Sequence, residues 1–231
     1  MITLKDLQAL YDSTYFEDKK FGVKINEPQR NNPDALSEVI FCFSGTLIHI
    51  KSSFLNDSKS IFSKGSNYLS FKHICDGVFI VKNDKSKYLV WIELKSSYNE
   101  VCKKAIFQLP ASYTKLKSHL KNLPSYIPNE YKEIGIIISY SPKLLKDDEN
   151  NEEVMSYKRK LIDSSTKEDI IKYKYDKDIR KFQATFLDGI DFGFDKININ
   201  EDIKMKSLYI YHYIADSPKI FINLDSILDT A

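Results

Sequence analysis

Three charged residues stand where charge is costly. Residues 88–96, YLVWIELKS, form one of the most apolar runs of the chain, yet Glu93 and Lys95 sit inside it. Asp76, in Cys75-Asp76-Gly77, opens another apolar stretch, Val78 to Val81. In a strand, residues two apart project to the same face, so Glu93 and Lys95 share one. An ion pair in such a setting is expensive unless it is partnered or used. The polar turn NDKSK at 83–87 predicts that the two runs pair antiparallel, which brings Asp76 beside Glu93. Two converging carboxylates suit a hard divalent cation. Mg²⁺, with Mn²⁺ as a substitute, takes oxygen ligands and keeps several waters, so Asp76, Glu93 and the backbone carbonyl of Leu94 suffice. A cation held there can polarise a phosphodiester and activate water. A neighbouring lysine, Lys95, can orient that water or stabilise the charge of the transition state. The set meets the requirements of phosphodiester hydrolysis.

The flanking elements must hold these groups together. Leu4, Leu7, Leu10 and Tyr11 predict an amphipathic helix over 3–16, followed by a polar loop over 17–32. Pro33 predicts the first turn of a helix running through Leu36, Val39 and Phe43 to Gly45. The segment 46–50, TLIHI, suits helix or strand, and 52–67 reads as a surface loop. Beyond the strand pair, 99–121 has helical spacing, with Pro110 expected to kink or divide it. EIGIIISY at 133–140 reads as a buried strand. A charged loop at 143–153 marks a boundary, a charged helix is expected over 153–176, and strand-like runs follow at 181–188, 207–214 and 219–224. The order predicts an α/β fold of mixed α+β character, with a central mixed sheet flanked by helices. Residues 1–142 form its core, and 143–231 a C-terminal, β-containing extension that completes or extends it.

Asp76 on one strand and Glu93-Leu94-Lys95 on the next resemble the signature of the PD-(D/E)XK nuclease superfamily, the restriction-endonuclease-like group. The resemblance covers roughly residues 33–140. It implies a helix–three-strand–helix–strand core, a metal held by Asp76 and Glu93, and Lys95 as the catalytic cation. It implies a Mg²⁺-dependent deoxyribonuclease, endonuclease rather than exonuclease, in restriction or anti-phage defence. Cys75 stands where many members carry proline. One branch carries Gln-x-x-x-Tyr on the following helix; here Gln108 and Tyr113 are one residue too far apart, although Gln108 can still face the site. Many such nucleases place a further acid on the first core helix, and Glu38 holds that position, with Glu27 a weaker choice.

Lys103, Lys104, Lys115 and Lys117 on the 99–121 helix form a row that can contact DNA phosphates without reading sequence. Arginine is scarce, so bidentate reading of guanine is thinly supplied. The net charge is only +2, with the excess of positive charge in the first 130 residues. Four histidines without paired spacing disfavour zinc, and there is no P-loop motif. Three cysteines without metal-like spacing, no signal-peptide pattern and no membrane-length apolar run predict a cytoplasmic protein with no membrane partner. Cutting both strands commonly takes two active sites, which makes a homodimer, or a protein partner that activates the enzyme, the expected context. The alternative reading is a nuclease-fold subunit without turnover that binds or assembles within a larger complex.

Overall fold

A computed structural model describes residues 1–26, 36–57, 73–95, 105–140, 200–203, 205, 207–215 and 217–230, with the backbone of 171–174 and 180–185. The fold is mixed α/β. Strands β1 (Phe16–Lys19), β4 (Thr46–Lys51), β5 (Gly77–Lys82), β6 (Lys87–Lys95), β7 (Tyr131–Tyr140), β8 (Ile171–Lys174), β9 (Arg180–Thr185) and β10 (Ser207–Ala215) form one sheet. Its order is β1-β4-β5-β6-β7-β10-β9-β8. A second, three-stranded sheet has the order β11-β3-β2, from Lys219–Asn223, Glu38–Cys42 and Gly22–Asn26. The helices are α1 (Leu4–Leu10), α2 (Ser52–Asp57), α3 (Ile106–Leu120) and α4 (Leu224–Leu228).

The large sheet changes character at β6. From β1 through β4 and β5 to β6 the pairing is antiparallel; β6 with β7, and β7 with β10, are parallel. Helix α3 makes the crossover that a parallel β6–β7 pair requires. The central strands are apolar on both sides because both sides are covered. On one face Val78, Ile80, Leu89, Trp91, Ile137, Leu208 and Ile210 pack with Leu7 of α1, Phe54 and Leu55 of α2, and Leu109, Tyr113 and Leu116 of α3. On the other, Phe79, Val81, Val90, Ile92, Leu94, Ile136 and Ile138 pack against the second sheet and α4.

The second sheet shows strict alternation. Val23, Ile25, Val39, Phe41, Ile220 and Ile222 point into the core, while their sequence neighbours face outward. Residues on both sides of position 143 build both sheets, since β10 lies beside β7 and β11 beside β3.

Several elements differ from the sequence-based expectation. The helix expected from Pro33 to Gly45 is strand β3 over Glu38–Cys42. Val39 and Phe41, two residues apart, gain more by facing the large sheet together than a helical stripe could give them. Helix α1 ends at Leu10, and the stretch expected as a loop contains β1 and β2. Residues 52–57 are helical, and 171–174, expected to end a helix, are strand β8. The rest of the helix expected over 153–176 lies outside the described residues. Pro110 does not divide α3: one turn from its N-terminus, it forfeits a single backbone bond.

Candidate active site

β5 and β6 pair with Gly77 opposite Ile92, and the Asp76 N–H donates to the Ile92 carbonyl at 2.9 Å. Asp76 therefore extends the ladder by one step, opposite Glu93. By the two-residue period, Asp76 lies on the face of Val78 and Ile80, and Glu93 and Lys95 on the face of Leu89 and Trp91. That is the same face of the sheet, covered by α3.

The Asp76 carboxylate accepts the Leu94 N–H at 2.7 Å. Lys95 donates its ammonium to the Glu93 carboxylate and, at 2.9 Å, to the Leu94 carbonyl. Glu93 is fully buried and Lys95 is 6 % exposed. Burial pushes the Asp76 carboxyl above its ordinary range, against the opposing pull of Lys95, the Leu94 N–H and the Glu93 side chain. Two carboxyl groups are thus pressed together beside one ammonium. Beside that single ammonium the cluster offers two carboxyl groups and one backbone carbonyl, all hard oxygens. Asp76, Glu93 and the Leu94 carbonyl are the oxygens that could hold a hard divalent cation such as Mg²⁺. Among the described residues no group of three or more His, Cys, Asp or Glu side chains converges.

Comparison with protein-family models, curated proteins and solved structures returned no match.

Helix α3 fixes the segment that carries Asp76. The Gln108 amide donates to the Ile74 carbonyl at 2.8 Å. One turn later, the Ser112 hydroxyl accepts the Cys75 N–H at 2.7 Å. Gln108 therefore positions the backbone beside Asp76. Ser112 was not singled out in the sequence; its place four residues after Gln108 was the available signal. Tyr113, instead of completing a pair with Gln108, stacks on Trp91 with ring centroids 5.0 Å apart. Cys75 is structural: burial pushes its thiol up to about 12, so it carries no thiolate at neutral pH. Gly77 is needed for packing, because a Cβ there would lie 3.1 Å from both His49 Nε2 and Ile25 Cδ1. The second sheet approaches the Asp76 segment through that gap.

Two other expectations are corrected. Glu38 lies on β3 with Val39 and Phe41 facing the core, so its side chain belongs to the outward face of the second sheet, away from Asp76. There it pairs with Lys24, which holds its carboxyl below the ordinary range. Lys115 and Lys117 do not form a solvated row. Both are buried, and Lys117 pairs with Glu133 beneath the rings of Tyr113 and Tyr126, 5.2 and 5.3 Å away. A lysine this enclosed serves packing and charge balance. Lys103, Lys104 and Glu27 lie outside the described residues.

The same sheet face holds a polar pair with no counterpart in the sequence reading. Ser139 on β7 and His212 on β10 are both fully buried, and Ser139 Oγ lies 2.8 Å from His212 Nε2. Lys95 is the register neighbour of Ser139, and Ile137 that of both Glu93 and His212. The polar groups thus gather near the carboxyl ends of three parallel strands, the end at which open α/β sheets commonly bind ligands. No helix among the described residues is long and apolar enough to cross a membrane.

Proposed function

We propose that the chain is a Mg²⁺-dependent nuclease that hydrolyses DNA phosphodiester bonds, acting as an endonuclease of the PD-(D/E)XK type. The single observation that carries this reading is the meeting of Asp76, Glu93 and Lys95 on one buried sheet face, with Asp76 clamped on the Leu94 N–H. The topology supports it in part: three antiparallel strands, a crossover helix and a parallel fourth strand follow the order that the resemblance implies, while the helix expected before them is strand β3. A bound divalent cation would supply Lewis acidity and an activated water. Asp76, Glu93 and the Leu94 carbonyl would hold that cation. Lys95 presents a positive charge to the phosphoryl oxygens as they gain charge. Gln108 and Ser112 keep the Asp76 backbone in register with β6, so the two carboxyl groups need not be assembled during turnover.

A second reading has one observation in its favour. Phe21 is 84 % exposed and Phe221 74 %, and apolar rings left in solvent are the kind a protein partner covers. On that reading the chain is an assembly subunit that cleaves nothing.

The test is cleavage of a panel of supercoiled plasmid, linear duplex, single-stranded DNA and RNA with Mg²⁺ or Mn²⁺. The proposal expects DNA to be cut by the native chain and left intact by Asp76→Ala, Glu93→Gln and Lys95→Met. Cleavage that persists in all three variants rejects the assigned site. Silence of the native chain, alone and with its purified partners, favours the assembly subunit.

A further inference from the structure

Lys95 is bound to the wrong partners for its proposed role. Two of its three N–H donors go to Glu93 and to the Leu94 carbonyl, which are two of the three ligands assigned above to the divalent cation. Ammonium and cation therefore compete for the same oxygens. A cation that takes the same oxygens repels the ammonium and loosens its hold there, and an ammonium loosened on a buried strand needs another acceptor. The polar groups on this face narrow the choice. The inward positions around Lys95 on β6, β7 and β10 are apolar, Trp91, Ile137, Leu208 and Ile210 among them, and the carboxylate of Glu133, level with Leu89 six residues back along the strand, is already held by Tyr113 and Lys117. Ser139 is the register neighbour of Lys95 on the same face, about 4.8 Å away across a strand pair. His212 holds the Ser139 hydroxyl. When that hydroxyl donates to His212 Nε2, its lone pairs are left for a lysine.

We propose that Ser139, oriented by His212, is the second seat of the Lys95 ammonium, taken when a divalent cation claims Glu93 and Leu94. Ser139 and His212 are then positioning residues for Lys95. They make cation binding and the deployment of the lysine one event, and they give a use to two polar side chains that lie fully buried beside the Glu93–Lys95 pair. The inference rests on the proposed cation site, but it is tested by binding and not by turnover.

The experiment is titration of the full chain with Mn²⁺, followed by calorimetry, for the native protein and for Ser139→Ala, His212→Phe and His212→Gln, each alone and combined with Lys95→Met. Ser139→Ala and His212→Phe are expected to weaken Mn²⁺ binding about tenfold. His212→Gln, which keeps a hydrogen-bonding side chain, should recover much of the loss. In the Lys95→Met background the same changes should have little effect, because no ammonium remains to be seated. Equal losses with and without Lys95 would mark the pair as structural and overturn the proposal. Where Lys95→Met does not fold, the Lys95 side-chain NMR signals replace that arm. Mg²⁺ should shift them in the native chain toward a position that Ser139→Ala cannot reach, and identical shifts in both proteins overturn the proposal. Absence of any Mn²⁺ binding in the native chain would instead count against the cation site, which keeps the two failures distinct.

Discussion

Asp76 bears a cost that its fold does not require. Burial, above all, holds its carboxyl above the ordinary aspartate range. A raised folded value means that the contribution to stability is present below the unfolded value and lost as pH rises through the folded one. Charging the carboxyl as pH rises is therefore a burden on the fold. Asp76→Asn keeps an oxygen for the Leu94 N–H and removes that burden, so it should raise the melting temperature by a few degrees at pH 7 while ending cleavage. The gain should vanish below the ordinary aspartate range, which melting curves across pH will show. Lys95 behaves oppositely. Replacing it with Met leaves a buried carboxylate without its partner, a loss of about 3–5 kcal/mol. Urea denaturation should register that loss, and divalent cations should restore part of it. Asp76, Glu93 and Lys95 were legible because their charge interrupts apolar runs. Lys115 and Lys117 were not, since the burial of a lysine depends on distant partners such as Glu133. The Ser139–His212 contact was hidden for a related reason: its two residues meet only when β7 and β10 pair.

The strand pair β5–β6 was the most legible element, because its length, turn and β-branched content agree. β3 was the least. Leu36, Val39 and Phe43 fit a helical stripe, Val39 and Phe41 fit a strand, and only the presence of a second sheet decides between them. Helix α3 illustrates how an element serves the site. Gln108→Leu removes the donor to the Ile74 carbonyl and should cost about 1 kcal/mol of stability. Its effect on cleavage should be larger, on the order of 100-fold, because the Asp76 segment loses its brace. Denaturation and kinetics on the same preparation will separate the two. On the opposite face, burial lowers the His49 imidazole to about 4 from 6.5. A lowered folded value in a base favours the neutral form, so the stability is complete above 6.5 and is lost as pH falls toward 4. The native chain should lose about 3 kcal/mol between pH 7 and pH 4 through this group, and His49→Leu should flatten the profile of denaturation midpoint against pH.

At the scale of the molecule, one sheet is covered by helices on one face and by a second sheet on the other. The C-terminal segment is integral to this arrangement. Ile220, Ile222, Leu224, Ile227 and Leu228 are buried against the large sheet and its neighbours, and each contributes about 1.5–3 kcal/mol. Their sum rivals the whole stability of a typical domain. A chain truncated after Ala215 should therefore lose cooperative unfolding and bind a hydrophobic dye. The sequence showed the mixed α/β class and the strand-like runs, but not the pairing of β11 with β3, which joins segments far apart in the chain. Cation binding also acts at this scale. A ligand that binds only the folded state stabilises it by about 2.7 kcal/mol at a hundred times its dissociation constant.

The account depends most on Asp76 and Glu93 sharing one divalent cation. Its most direct measurement is an anomalous difference map from crystals of the full chain soaked in Mn²⁺. The expected result is one strong peak within ligand distance of both carboxyl groups and the Leu94 carbonyl, absent in Asp76→Asn. A map with no peak there, or with manganese bound only elsewhere, would contradict the account.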